Sequence, residues 1–180
     1  IVVVPTDAIR KMWEANNLQT VSWAQAKNCS ALGDAVYKVR FGKRHEWSEQ
    51  AEPIIEPVHP SFFFPVLDPS NVTEMKAAIL AWEESENSIN SGSSFSTNVS
   101  SDFCSSTNFP RYLRREVHVP GKVYQEVYLI DGDQLKQQSL ESCPITREAA
   151  LLGDLMAEVD TGYPGLLVFH VANESNIGEF

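Results

Sequence analysis

The sequence predicts an α+β fold: N-terminal helices followed by a mainly antiparallel β-sheet with long loops. Three observations carry this. Apolar residues recur at helical spacing up to residue 32, and period-2 runs rich in Val, Tyr and Phe follow from residue 34. Prolines and tight Gly turns punctuate those runs rather than a second helical pattern.

The first helix opens at Pro5–Thr6–Asp7. Thr6 is a helix N-cap, and Asp7 suits the positive end of the helix dipole. Ile9, Met12 and Trp13 then recur on one face, and Asn16–Asn17 ends or kinks the helix. A second helix is expected over Leu18–Leu32, with Val21, Ala24, Cys29 and Leu32 toward the core. Gly33 stands where a left-handed C-cap residue is needed. A strand follows over Asp34–Phe41, where Ala35, Tyr37, Val39 and Phe41 alternate with Val36, Lys38 and Arg40. Gly42–Lys43–Arg44 is turn-like.

Glu52–Leu67 contains Pro53, Pro57, Pro60 and Pro65. Proline donates nothing to a sheet ladder, so this stretch must form edge strands and bends. It also holds the aromatic cluster Phe62, Phe63 and Phe64. Lys76–Trp82 reads as another strand. Residues 83–109 are dominated by Ser and Asn and read as a long loop. Tyr112–Val119 and Lys122–Ile130 form a hairpin about Pro120–Gly121, and Asp131–Gly132–Asp133 is a second tight turn. Residues 138–147 are loop-like. A helix is expected over Arg147–Val159, weakened by Gly153. Thr161–Gly165 is a turn, and Leu166–Val171 is a short buried strand. The chain thus divides into a helical segment (1–33), a β-rich segment (34–82), the Ser/Asn-rich loop (83–109) and a hairpin with an α/β segment (110–180).

A chain of 180 residues buries enough surface for a real core without disulfides. Its net charge is -10 and uneven: seven basic and five acidic residues in 1–50, but seven and nineteen in 51–180. Such a chain is poorly suited to wrapping nucleic acid, since phosphate binding rests on Lys and Arg that release counterions. The three cysteines, Cys29, Cys104 and Cys143, are odd in number and widely spaced. That argues against a disulfide framework or a zinc site and for free thiols in a reducing compartment. The four Asn-x-Ser/Thr matches, at Asn28, Asn71, Asn98 and Asn173, are mostly chance in an Asn- and Ser-rich chain. No apolar stretch nears the roughly 20 residues that cross a bilayer. Ile1–Val4, cut off by Pro5, is too short for a signal sequence. Both ends read as cuts through a longer protein.

Few residues suggest chemistry. His45, His59, His118 and His170 are isolated from one another. His170, in an apolar run, is expected to be packed or hydrogen-bonded; His118, alternating with valines, is expected to face solvent. Asp131–Gly132–Asp133 lacks the spaced carboxylates and closing Glu of a calcium loop. Cys29 shows no partner base and is expected as a small core residue. The Ser-rich stretch has no GxSxG elbow and no phosphate-cradling Gly loop. Arg111, Arg114 and Arg115, with Tyr112 among them, form a basic aromatic cluster. Lys38, Arg40, Lys43 and Arg44 make a weaker basic stripe. Arg111, Arg114, Arg115, Lys38 and Arg40 are candidates for contact with a neighbouring subunit or DNA; the plainer alternative is a solvated strand face. No catalytic, cofactor-binding or metal-binding residue is assigned.

Three stretches, taken in order, resemble the portal proteins of tailed bacteriophages, especially actinobacterial and related long-tailed phages. They are Trp23–Arg40 (WAQAKNCSALGDAVYKVR), then His59–Pro69 (HPSFFFPVLDP) with Ile79–Glu84 (ILAWEE), then Tyr112–Asp133 (YLRREVHVPGKVYQEVYLIDGD) with 166–175 (LLVFHVANES). The resemblance covers most of residues 10–175, and it lies in order and spacing, since each motif is structural. The Ser/Asn-rich insert at 85–108 is longer than the family pattern, and the stem helices and tunnel loop would follow residue 180. The resemblance implies the wing-like part of a non-enzymatic subunit without cofactors. It implies a homo-oligomeric ring, typically of twelve subunits, at the unique capsid vertex of the virion, assembled in the host cytoplasm. The implied partners are the major capsid protein, the terminase and the head–tail connector or adaptor. Genomic double-stranded DNA would pass through the channel, and no membrane is involved. Heterologous contacts close such a ring, and uneven charge suits complementary subunit faces. An acidic body would also repel DNA sliding past. Alternatives from other classes are a small hydrolase or transferase without a recognisable motif, another virion structural protein of capsid or tail, and a secreted binding module.

Overall fold

The computed structural model describes residues 6–43, 51–85 and 110–172. Most of the Ser/Asn-rich loop expectation, together with Arg44, His45 and Cys104, lies outside them. In chain order the elements are α1 (Asp7–Ala15), α2 (Leu18–Leu32), β1 (Asp34–Gly42), β2 (Glu52–Val58), a single 3-10 turn (Pro60–Phe62), β3 (Phe63–Asp68), β4 (Asn71–Ser85), β5 (Arg111–Val119), β6 (Lys122–Asp131), β7 (Gln134–Gln138), α3 (Arg147–Leu151), β8 (Glu158–Asp160) and β9 (Val168–Ala172). Helices come first, and the strand registers are antiparallel, so the fold is α+β as the pattern predicts. The chain packs as two units, one from 1–63 with 166–180 and one from 64–165.

In the first unit the local signals act as expected. Thr6 Oγ1 accepts the Ile9 amide at 3.3 Å and caps α1. Asn17 takes the left-handed conformation, φ 47°, and turns the chain between the helices; Asn tolerates this better than most residues. Gly33, at φ 92°, ends α2. Strand order is β2-β1-β9, so the proline-bearing β2 is an edge strand, as its prolines require. The core of this unit includes Val36, Ile54, Val58 and Val168, each 5% exposed or less.

The phase of α2 differs from expectation. Ala24 and Leu32 are exposed, and the buried positions are Leu18 and Gln25. Gln25 is 1% exposed because its amide donates to the Val36 carbonyl at 2.9 Å and more weakly to that of Val58 at 3.4 Å. A polar side chain is admitted to the interior when its hydrogen bonds are made there. Phe41, near the end of β1, is 72% exposed, since burial is confined to the start of the strand at Ala35 and Val36.

The second unit is a sheet of order β3-β4-β5-β6-β7, with β8 pairing to the start of β6. Its centre is the β5–β6 hairpin about Pro120–Gly121, whose register pairs Val119 with Lys122 and Arg111 with Ile130. Gly121, φ 84°, supplies the positive φ that such a turn needs. Tyr112, Val127, Leu140 and Cys143 form the core, with Leu129, Ile145, Ala150 and Leu155 against it. The stretch expected as a loop, 138–147, is compact. Cys143 N donates to Ser139 O at 3.1 Å, and the buried Thr146 hydroxyl donates to Leu140 O at 2.6 Å.

The structure departs from the sequence pattern at several elements. β4 runs from Asn71 to Ser85, so residues 83–85 belong to a strand and not to the loop. The helix expected over 147–159 stops at Leu151; Gly153 adopts φ 79°, and residues 158–160 are the strand β8. β7, a Gln-rich strand, carries little sequence signal because its side chains are mostly exposed. In the first unit, Val168 is the only buried residue among 168–171, with Phe169 and Val171 at 47% and 52% exposure.

Candidate functional site

The five basic residues singled out from the sequence all lie on strands, and each meets an acidic neighbour. In the first unit Lys38 and Arg40 project from the same side of β1, two residues apart. Register places Glu56 of β2 opposite Lys38. Its carboxylate holds Lys38 Nζ at 3.3 Å and Arg40 Nε at 2.7 Å. Lys43 is exposed beyond the end of the strand.

In the second unit β5 divides the three arginines between its faces, because successive strand residues point to opposite sides. Arg111 and Arg115 share one face and Arg114 takes the other. Arg111 forms a forked pair with Glu83 across the β4–β5 ladder, which raises its already high pKa. Arg115 pairs with Glu126 and donates to the Tyr128 hydroxyl at 3.0 Å, lying over that ring at 5.3 Å. Burial, then the bond to Glu126, pushes the Tyr128 hydroxyl above its usual pKa. Arg114 stacks on Trp82 at 5.2 Å and reaches Glu84 at 3.8 Å and Gln125 at 3.3 Å. The aromatic partners of the arginines are therefore Trp82 and Tyr128, and not Tyr112, which is buried in the core of the unit. Both partners come from flanking strands and could not be placed from local sequence.

On the Arg114 face, two and four residues along, sit Glu116 and His118, 6% and 3% exposed. His118 Nε2 lies 3.2 Å from Glu116 Oε2. The expectation that His118 faces solvent is thus wrong. Its face is the one that carries buried Ala78 and Leu80 on β4, and the flanking Val117 and Val119 take the other side. His118 Nδ1 has no hydrogen-bond partner among the described residues. His170, expected as packed or hydrogen-bonded, bonds Asp34 at 2.8 Å and packs against the Phe63 ring at 5.1 Å.

Cys29 and Cys143 are free thiols, and Cys143 is buried in the second core. Among the described residues no three His, Cys, Asp or Glu side chains converge as metal ligands. Among the described residues no helix is long and apolar enough to cross a membrane. A depression of about 410 Å³ in the second unit is lined by Gln125, Glu126, Gln137, Gln138, Glu141 and their neighbours. Glu126, its carboxylate nearest the arginines, is already engaged by Arg115 and Tyr128. The chemistry on view is charge neutralised pairwise across strands, which orders side chains but contributes only ~0–1 kcal/mol per exposed pair.

No protein-family model matches the chain, and no curated protein matches it.

Proposed function

We propose that this chain is part of a structural subunit of a phage portal ring, the channel for genome packaging and ejection at one capsid vertex. The observation that carries the proposal is the ordered set of stretches that resemble that family's pattern: Trp23–Arg40, His59–Pro69 with Ile79–Glu84, and Tyr112–Asp133 with residues 166–175. Those stretches correspond to α2 with β1, the 3-10 turn with β3, the second half of β4, the β5–β6 hairpin, and β9. The motifs therefore follow the framework of both units rather than one pocket. The side-chain chemistry is consistent with this: Lys38, Arg40, Arg111, Arg114 and Arg115 are matched to carboxylates on neighbouring strands. A scaffold that works by packing against copies of itself needs ordered, charge-balanced faces. In this reading the capsid protein, the terminase, the tail connector and the passing DNA meet the assembled ring.

Electron microscopy of the full-length protein with symmetry analysis tests the proposal. A closed ring, twelve-fold in the expected case, supports it. Five- or six-fold capsomers would assign the chain to another virion component. A stable monomer that turns over a substrate would replace the proposal with the hydrolase or transferase reading.

A further inference from the structure

The edges of the two sheets are treated unequally. In the first unit Val39 N donates to Leu167 O, so odd-numbered β1 residues bond toward β9 and even-numbered ones toward β2. On β2 the outward positions are then Pro53, Ile55 and Pro57. Two of these have no N–H. The third, Ile55 N, donates to Asn16 Oδ1 at 2.8 Å, while Asn16 Nδ2 donates to Pro53 O at 3.1 Å. Every outward donor of β2 is thus either missing or taken. On β9 the same alternation turns the N–H and C=O groups of Val168, His170 and Ala172 outward, and none of these is a proline. Among the described residues β1 is the only strand beside β9.

The second unit repeats the contrast. β3 is an edge strand and carries Pro65. β7, at the opposite edge, has no proline. Gln125 N donates to Ala157 O, so odd-numbered β6 residues face β7 and β8. Leu129 and Val127 bond toward Lys136 and Gln138, which leaves the backbone groups of Leu135 and Gln137 outward. Among the described residues the chain therefore presents two edges without a strand neighbour, each five residues long, one in each unit. Exposed bare edges are templates for pairing with another chain, and proteins ordinarily block them.

We infer that β9 of one copy pairs with β7 of a second copy. Electrostatics permit this pairing. In a chain of net charge -10, residues 166–172 hold no Asp, Glu, Lys or Arg, and Lys136, the one charge on β7, is paired with Asp131. Pairing these edges therefore brings no like charges together. It also covers apolar side chains exposed on both edges, Phe169 and Val171 on β9 and Leu135 on β7. Two different edges meet, so the contact is heterologous and propagates from copy to copy. This deepens the ring reading and rests on it for the number of copies.

Native mass spectrometry at rising concentration tests the contact in this chain and in the full-length protein. His170→Pro removes an outward N–H of β9, and Leu135→Pro does the same on β7; His170→Ala and Leu135→Ala keep those groups. Wild type and both Ala variants are expected to assemble, and each Pro variant is expected to stay monomeric. Mixed together, the two Pro variants should give a one-to-one pair and nothing larger, because each retains one intact edge. Circular dichroism checks folding. Val171→Lys, which leaves the backbone untouched and places a charge on the exposed edge, carries the test if His170→Pro does not fold. Assembly of His170→Pro and Val171→Lys at wild-type concentrations would overturn the inference, as would a wild type that stays monomeric throughout. Assembly of Leu135→Pro like wild type would overturn the role of β7 and point to β9 meeting its own copy. If the full-length protein forms a ring that these variants leave intact, the edge contact fails and the ring reading stands.

Discussion

Replacing Asn16 by Ala separates two accounts of this residue. As a helix end it needs only its bond from Nδ2 to Met12 O at 2.9 Å, and its loss would cost a few tenths of a kcal/mol. As the clamp on β2 it also accepts from Ile55 N at 2.8 Å and donates to Pro53 O at 3.1 Å, in a position only 5% exposed. An unmet buried donor or acceptor costs roughly 1–3 kcal/mol, and partial access of water to an edge strand lowers that figure. The two strand bonds together therefore contribute about 2–3 kcal/mol. With a urea slope of about 1–3 kcal/mol/M, the unfolding midpoint should fall by roughly 0.7–3 M. The assay is equilibrium urea unfolding, with amide exchange as a local probe. The Ile55 N–H should lose protection more than its strand neighbours do. Asn16→Asp, which keeps the acceptor but loses both donated bonds, should also be destabilised while retaining more protection at Ile55. An Asn16→Ala midpoint within about 0.2 M of wild type, with Ile55 still protected, would refute the clamp.

Other outcomes follow from the same structure. Leu80→Ala, at a site 2% exposed, should cost about 2–5 kcal/mol in thermal or urea unfolding, whereas Leu135→Ala, at 55% exposure, should stay within about 0.5 kcal/mol. Asn17→Ala should cost about 1 kcal/mol and Asn17→Gly should be neutral or better, because φ 47° penalises a Cβ. Lys76, assisted by Ser70, holds the Asp68 carboxyl down from 3.8 to about 2. Its stabilising effect is therefore full above the usual carboxylate range and lost as pH falls through about 2. Lys76→Ala should move the Asp68 titration, followed by NMR, back toward its ordinary value.

What the sequence shows and hides divides along physical lines. Caps and turns depend on one or two residues, so Thr6, Gly33 and Pro120–Gly121 announce α1, the end of α2 and the central hairpin. Prolines 53, 57 and 65 mark β2 and β3 as edges because a missing N–H is a local property. Burial depends on what lies opposite. Gln25 does not read as a core residue, yet it sits there because Val36 and Val58 offer it carbonyls. His118 shares an alternating pattern with valines, and only the β4–β5 pairing decides which side is buried. β7 is exposed and Gln-rich, so it lacks the apolar alternation that reveals half-buried strands. The basic residues were legible as types, but their partners Glu56, Glu83, Glu84 and Glu126 come from register, which local sequence does not encode. Asn16 reads as a helix breaker from its neighbours alone, and its strand partners lie 37 and 39 residues away.

The central claim is that this protein works by joining copies of itself head to tail into a closed ring. The mass of the full-length protein in native buffer, followed across concentration, tests it most directly. The account predicts one dominant species at a fixed whole-number multiple of the protomer, twelve in the expected case, persisting on dilution. A lone protomer at every concentration, or an open-ended ladder of masses that never settles, would contradict it.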